Sequence, residues 1–174
     1  MSNTPILTKI ELFLTGIALL LGMGGCGIYS FSGADTGDAE TYQVNFFRNE
    51  ADLIEPGIDR TFTLQLQDLI QNQTNLGLTK NNGDLVYEGA ITQYYIAPMT
   101  STKQSTAAQN RLTIAVKVRF TNKLDSEKDF EKQYSFYYDY PAQQQMTGST
   151  LDTALDEIFT HITENIFNDS LTNW

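Results

Sequence analysis

The stretch "RLTIAVKVRFT" at residues 111–121 constrains the fold more than any other part of the chain. Apolar residues alternate along it with polar or small ones, and the apolar positions are Leu112, Ile114, Val116, Val118 and Phe120. A period of two maintained over this length is typical of a β-strand with one buried and one solvated face. The chain is therefore predicted to fold around a sheet that has one face covered.

Four further segments are predicted to be strands: 42–47, 76–79, 85–97 and 130–140. The second and third are separated by "KNNGD", in which Asn-Gly supplies the positive φ angles of a type I′ turn. We therefore expect these two strands to form a hairpin. Aromatic residues share one face of the last segment, namely Phe130, Tyr134, Phe136, Tyr138 and Tyr140.

Two segments repeat their apolar residues with the period of an α-helix. The first opens at Pro56 and has the stripe Ile58, Phe62, Leu66, Leu69 and Ile70. The second begins with Ser149 and Asp152 as a capping pair and has the stripe Leu151, Leu155, Ile158, Phe159, Ile162 and Ile166. The order β-α-β-β-β-β-α predicts an α+β fold, a two-layer sandwich. Both helices are expected to pack on one face of a mostly antiparallel sheet of four or five strands.

The amino-terminal region has the pattern of a secretory signal. Its apolar stretch, residues 12–23, is too short for a membrane-spanning helix, which needs about 20 apolar residues. Two glycines then precede Cys26, the only cysteine of the chain, an arrangement that resembles the lipobox of bacterial lipoproteins. We expect residues 1–25 to be removed and Cys26 to be acylated. The alternative is a short signal or an uncleaved anchor with an unmodified Cys26.

The rest of the chain divides into an anchored terminus and one domain. Residues 26–41 contain the small, polar run "SGADTGDAET" and are predicted to be a lipid-anchored flexible tether. Residues 42–174 are predicted to form a single α+β domain. Because Gly27 follows the cysteine where an inner-membrane lipoprotein commonly has aspartate, we expect an outer-membrane protein that faces the periplasm.

Composition excludes several classes of function. A net charge of -10 makes the chain a poor partner for nucleic acid, whose affinity depends on neutralising phosphates. With one histidine, His161, and scattered acids, no nucleophile, base and orienting group can be assembled. We expect no enzymatic activity, no metal and no cofactor other than the covalent lipid, with His161 at the solvated edge of the second helix.

Four segments together resemble the LptE family of lipopolysaccharide (LPS)-assembly lipoproteins: "CGIYSFSG" (26–33), "TNLGL" with "GDLVYEGAITQY" (74–94), residues 107–135 and "IFNDSLTNW" (166–174). The resemblance is most specific in "AAQNRLTIAVKVRFTNKLDSEKDFEKQYS" (107–135). It implies an outer-membrane lipoprotein with two helices on a small sheet. It further implies a partnership with the β-barrel LptD. By this resemblance, the protein helps the barrel to assemble and helps LPS to reach the outer leaflet. The alternative is a scaffold or glycan-binding lipoprotein of another outer-membrane machine.

Basic residues on the predicted strand are candidates for LPS binding. Arg111, Lys117 and Arg119 share its solvated face, and guanidinium and ammonium groups suit the phosphates of lipid A or of inner-core sugars. The alternative, which the neighbouring acids favour, is a solvated face balanced by Asp125, Glu127, Asp129 and Glu131.

Partner contacts are expected at two aromatic residues. Tyr137 lies on the face of its strand opposite to the apolar aromatics, so it is a candidate contact with the barrel. Trp174 is either a cap on the last helix or a second contact. The polar loop 98–109, the "NNG" turn and the turn 122–129 are either surface loops or insertions into the barrel lumen.

Overall fold

The computed structural model of the protein describes residues 34–53, 55–99 and 108–172. Its elements are β1 (Thr41–Val44), β2 (Arg48–Asn49), α1 (Ile58–Gln73), β3 (Gly77–Leu78), β4 (Leu85–Met99), β5 (Gln109–Asn122), β6 (Phe130–Pro141) and α2 (Ser149–Leu171). A single 3-10 turn, Ser126–Lys128, lies between β5 and β6. The expected lipidation site Cys26, the expected contact Trp174 and most of the polar loop lie outside the described residues.

The strands form one mixed sheet, in which β1 lies between β3 and β4, and β5 lies between β4 and β6. The long pairings of β5 with β4 and β6 are antiparallel, whereas the short pairings of β1 and β2 are parallel. Both helices pack on the same face of this sheet. The predicted α+β sandwich is confirmed. It has one more strand than expected, because the first predicted strand is interrupted after Val44 and resumes as β2.

The hydrophobic core fills the space between the helices and the sheet. All five apolar residues predicted to face inward on β5 are fully buried, with no exposed surface. Phe62 of α1 joins the layers, because its ring lies 5.0 Å from that of Phe47 and 5.2 Å from that of Phe159 on α2, measured between centroids. These edge-to-face ring pairs stabilise the fold beyond the burial of their surface.

Thr63 of α1 holds the connection between β1 and β2. Its buried hydroxyl accepts a hydrogen bond from the Phe47 N–H at 3.1 Å and donates one to the Asp59 carbonyl at 2.7 Å. The Thr63 hydroxyl thus provides an acceptor for the Phe47 N–H, which has no strand partner in the irregular connection. A buried donor without such a partner would cost about 1–3 kcal/mol.

The start of α2 differs from the expectation. The expected apolar stripe is confirmed, since Leu155, Ile158, Phe159, Ile162 and Ile166 are buried and Leu151 packs against the core. The predicted capping pair is wrong, because Ser149 is already the first helical residue. Gly148 precedes the helix with a φ of 57°, and no side chain caps the helix there. A glycine adopts this left-handed backbone at little steric cost, so it can begin the helix without a capping side chain.

The last turns of α2 are bound to the edge strand β6. Asp169 accepts hydrogen bonds from the Lys132 ammonium at 2.5 Å and from the Tyr134 hydroxyl at 2.7 Å. Burial alone would raise the pKa of Asp169, but these two hydrogen bonds outweigh it and hold the pKa below its ordinary value. Lys132 points toward the helices from a free sheet edge, and an inward charge of this kind discourages pairing with another strand.

The predicted hairpin of residues 76–79 and 85–97 is wrong. The strands β3 and β4 each pair with β1 in parallel, on its opposite sides, and not with each other. The connection between them folds over the start of β1, where the Asp84 carboxylate accepts hydrogen bonds from the backbone and side chain of Thr41. Asn82 does have the positive φ expected of the turn, 59°. Gly83 does not have a positive φ, so the Asn-Gly pair predicts the backbone of Asn82 but neither the type I′ turn nor the partner strand.

The domain begins earlier than the sequence predicts. Ala34 packs against the core, and the Asp35 N–H donates a hydrogen bond of 2.6 Å to the Leu171 carbonyl at the end of α2. Ala39 is buried as well, and β1 begins at Thr41. The expectation of a flexible tether as far as residue 41 is therefore corrected, because residues 34–41 belong to the folded domain.

Candidate functional site

The candidate site is the outer face, defined here as the sheet face opposite to the helices. The side chains of Arg111, Lys117 and Arg119 all lie on this face, as the alternation on β5 predicts. Lys117 and Arg119 are exposed. Thr113 and Ala115, which lie on β5 between Arg111 and Lys117, are buried beneath the neighbouring side chains. Six residues of strand separate Arg111 from Lys117, about 20 Å, so the structure brings together only two of the three predicted cations.

Lys117 and Arg119 take part in an ion-pair network across three strands. Glu131 of β6 accepts from the Lys117 ammonium at 2.5 Å and from the Arg119 guanidinium at 2.9 Å. Arg119 also reaches Glu88 of β4 at 3.3 Å. Hydrogen bonds from Lys117 and Arg119 lower the pKa of Glu131, so this carboxylate stays ionised at neutral pH.

The acids expected to balance these cations do so only in part. Glu131 is confirmed as an ion-pair partner, but Asp125 and Asp129 bind backbone N–H groups of the β5–β6 turn instead. The other two partners of the predicted cations are Glu88 and Asp139, which belong to neighbouring strands. The cations of this face are thus paired with acids that the strand register places opposite them on neighbouring strands, and not with the acids of the turn.

Arg111 forms a separate cluster at the far end of β5. Its guanidinium makes two hydrogen bonds to the Asp139 carboxylate, at 2.7 and 2.8 Å, which raise the pKa of Arg111. It also lies 3.4 Å above the centre of the Tyr137 ring. Tyr137 is 44% exposed on the outer face, as predicted, but one side of its ring is already covered by this cation.

A second exposed tyrosine lies in line with Tyr137. Tyr95 of β4 is paired with Thr113 of β5, which is paired in turn with Tyr137 of β6, and Tyr95 is 48% exposed. A β-bulge between Ile91 and Gln93 turns Tyr95 outward, since it shifts the alternation of β4 by one residue.

On the helix side, the rings of Phe136 and the exposed His161 stack at 4.0 Å. His161 is at a solvated helix edge, as expected.

A cavity of about 410 Å³ opens on the outer face beside the ion-pair network. Its lining includes Phe46, Arg48, Glu50, Glu88, Lys117 and Arg119. The cavity exists because Ala90 is short and lies in a row between two long side chains, Arg48 on β2 and Lys117 on β5. Its volume falls in the range of small-molecule sites.

Gly89 in the cavity wall allows the two long strands to approach each other. A Cβ atom at this position would overlap the carbonyl oxygen of Lys117 and lie 2.8 Å from the ring of Phe47. Any larger residue would therefore push β4 away from β5 and from the core.

In the part of the chain that the structure describes, no group of three or more potential ligand side chains is placed to hold a metal ion.

The family model for LptE, described as lipopolysaccharide-assembly, matches residues 39–170. The chain belongs to the LptE family. The match extends from the start of the folded domain almost to the end of α2. Members of this family are non-catalytic lipoprotein scaffolds. No curated protein sequence matches the chain.

Solved structures with the same fold differ widely in sequence. The PelC dodecamer from Paraburkholderia phytofirmans has 8% identity and a TM-score of 0.50, over 82% of this chain and 95% of that one. A Xanthomonas campestris protein has 8% identity and a TM-score of 0.50, over 77% and 84%. At such identities the likeness shows the fold alone.

Several residues of the site in this LptE-family domain have no counterpart in the sequence prediction. Arg48 and Glu50 lie just beyond the first predicted strand, and Glu88 and Asp139 become site residues only through strand pairing. Tyr95 is exposed only because of the bulge. Glu88 and Asp139 are charged residues inside predicted strands, and this was the available signal for them. Neither helix in the described part of the chain is both long and apolar enough to cross a membrane.

Proposed function

We propose that this protein is an outer-membrane lipoprotein that works with an LptD-like β-barrel and helps LPS to reach the outer leaflet. The observation that carries the proposal is the LptE-family match over residues 39–170. The proposed anchor is a covalent lipid on Cys26, with the domain on the periplasmic side.

Co-purification tests the proposed barrel partner. The full-length protein, extracted in a mild detergent, is expected to bring down a large β-barrel in stoichiometric amount. The variant Tyr137→Ala tests the proposed contact at this tyrosine, with Tyr95→Ala as the matched control on the same face. Absence of a barrel from the wild-type preparation would contradict the partnership. Equal recovery with both variants would contradict only the contact at Tyr137.

Metabolic labelling tests the proposed anchor. An alkyne analogue of palmitate is expected to appear on the wild-type protein and to be absent from Cys26→Ser. Cell fractionation should then place the labelled wild-type protein in the outer membrane and the variant in the periplasm. A labelled variant, or an unlabelled wild type, would contradict acylation at this cysteine.

Within the outer face, Lys117 and Arg119 are the proposed contacts for LPS phosphates. They lie beside the cavity, whereas Arg111 is held by Asp139 and covers Tyr137. Because both cations are already paired, a phosphate must replace the carboxylates of Glu131 and Glu88. Such an exchange is favourable only if the phosphate binds more strongly than the resident carboxylates, since each guanidinium offers a fixed number of donors.

The substitution Glu131→Gln separates ligand binding from simple charge balance. It removes the bridging charge, which frees Lys117 and leaves Arg119 only its ion pair with Glu88, so LPS should bind several-fold more tightly if these cations contact its phosphates. The double substitution Lys117→Glu with Arg119→Glu should weaken that binding strongly, whereas Lys80→Glu, at an exposed residue of the β3–β4 connection, should not. Unchanged LPS binding in all these variants would favour the solvated, balanced face.

The exposed tyrosines favour glycan binding as a second candidate function. Tyr95 and Tyr137 flank Thr113 across three strands, about 10 Å apart. Tyrosine can present an apolar ring to a sugar while its hydroxyl remains solvated. Saturation-transfer NMR with the polysaccharide part of LPS tests this candidate, which predicts loss of the signal in Tyr95→Ala. An unchanged signal in that variant would contradict it.

A further inference from the structure

Two charged residues of the cavity differ from the rest. Arg48 and Glu50 both line it, and neither forms an ion pair with any described residue. They are two residues apart in extended chain, so their side chains leave the backbone on the same side, about 7 Å apart. The Glu50 N–H donates to the Ile91 carbonyl at 2.8 Å, which holds this backbone against β4. Among the described residues, the cavity therefore presents one cation and one anion without an ion-pair partner, on a backbone that is held against β4.

The remaining charges of the cavity compensate one another. Lys117, Arg119, Glu88 and Glu131 form the ion-pair network described above, with two positive and two negative charges. A ligand can therefore bind at Arg48 and Glu50 without breaking an existing pair. A ligand with an anion alone would be repelled by Glu50, and one with a cation alone would be repelled by Arg48.

The rim of the cavity is apolar on one side. Phe46 is 55% exposed there, two residues before Arg48. An exposed aromatic ring beside a charged cavity suits a ligand that joins a polar head to an apolar chain.

We infer that the cavity binds a phosphoethanolamine group, with its phosphate at Arg48 and its ammonium at Glu50. Guanidinium groups bind phosphate oxygens through two parallel hydrogen bonds, and an ammonium group donates strongly to a carboxylate. The two opposite charges of the ligand would match the two free charges of the protein and leave the charge of the cavity balanced. When the group is borne by a phospholipid, Phe46 would contact the apolar part next to the head.

Calorimetric titration of the full-length protein in a maltoside detergent tests the chemistry of the group. The probe is free O-phosphoethanolamine, and the matched compound is n-propyl phosphate, in which a methyl group replaces the ammonium. The first is expected to bind about tenfold more tightly, because only it satisfies Glu50. No binding of O-phosphoethanolamine up to about 10 mM, or equal binding of both compounds, would overturn the inference.

Charge-removing variants test the two residues. Arg48→Gln should weaken both compounds, whereas Glu50→Gln should weaken O-phosphoethanolamine about tenfold and leave propyl phosphate unchanged or tighter. Arg60→Gln and Glu157→Gln make the same charge changes at exposed positions on the helices and are expected to bind like the wild type. Wild-type affinity in Glu50→Gln, or equal losses in the helix variants, would contradict the site. All four positions are exposed, and circular dichroism checks that each variant is folded.

Native mass spectrometry distinguishes a lipid head group from the free compound. The full-length protein is released from detergent with phosphatidylethanolamine or with phosphatidylglycerol of the same acyl chains. Retention of phosphatidylethanolamine alone, reduced by Phe46→Ala, would support a lipid as the source. Binding of O-phosphoethanolamine without lipid retention would support the free or sugar-linked group. Co-purification of the barrel is measured independently, so failure here leaves the proposed function unaffected.

Discussion

The substitution Gly89→Ala is expected to destabilise the protein by about 2–6 kcal/mol, although it adds a single methyl group. The new Cβ would overlap the carbonyl oxygen of Lys117 and lie 2.8 Å from a ring carbon of Phe47. The carbonyl belongs to the backbone of β5, so it cannot rotate away. The strands must separate locally, which weakens roughly two ladder hydrogen bonds at about 0.5–1.5 kcal/mol each. Overpacking against Phe47 adds about 1–3 kcal/mol.

Gly77→Ala is the matched control. Gly77 also lies in a strand and has no positive φ, but a Cβ there would find its nearest atom at 3.7 Å, an ordinary contact. Alanine at this position should leave stability within about 1 kcal/mol of the wild type, or raise it slightly by restricting the unfolded chain. The two variants therefore differ in the space available and not in the residue introduced.

Urea unfolding followed by circular dichroism measures both variants in the full-length protein. The expected difference between them is a substantial part of the 5–15 kcal/mol that stabilises an ordinary domain. A midpoint for Gly89→Ala that matches that of Gly77→Ala, with the same slope, would refute the argument. It would mean that β4 and β5 can separate without cost at the point where the cavity forms.

Three further predictions concern the helices and the buried tyrosines. Asp169→Asn should lower stability at pH 7 by about 1 kcal/mol. Because the pKa of Asp169 is lowered in the folded state, acid-dependent unfolding curves should show this difference vanishing as the pH falls below about 4. Thr63→Val should cost about 1–3 kcal/mol in urea unfolding, because it leaves the Phe47 N–H without an acceptor, whereas Thr63→Ser should cost less. Burial raises the pKa of Tyr94 to about 12 and also raises the pKa of Tyr87 and Tyr134. Stability should therefore fall as the pH rises above about 10, and well below pH 12 phenolate absorbance from these three residues should appear only on unfolding.

Regular elements were predictable because their periods follow from local geometry. The alternation in residues 111–121 predicts β5 and identifies its buried face, and the 3.6-residue stripe does the same for α2. Side chains on a strand must point to opposite sides in turn, whatever the strand pairs with. For this reason the α+β architecture and most of the core could be predicted from the sequence.

Strand pairing and the bulge were not predictable in the same way. The Asn-Gly turn indicates a positive φ, but the insertion of β1 between β3 and β4 depends on Asp84 binding Thr41, more than forty residues earlier in the chain. The bulge after Ile91 likewise leaves no mark in the composition of β4. Both features decide which side chains reach the outer face, and the cavity depends in the same way on the pairing of β2 with β4, which sequence periodicity does not predict.

The charges of the outer face differ in what a ligand must displace. A phosphate approaching Lys117 or Arg119 competes with carboxylates that are already bound, and in an exposed network salt weakens both sets of contacts. At Arg48 and Glu50 no described residue has to be displaced. The first contact of an amphiphile that carries phosphoethanolamine is therefore expected at Arg48 and Glu50, and exchange within the network would follow only for a ligand with further phosphates. Under this scheme Arg48→Gln should slow the association of LPS that carries phosphoethanolamine, whereas the double substitution of Lys117 and Arg119 should mainly speed its release.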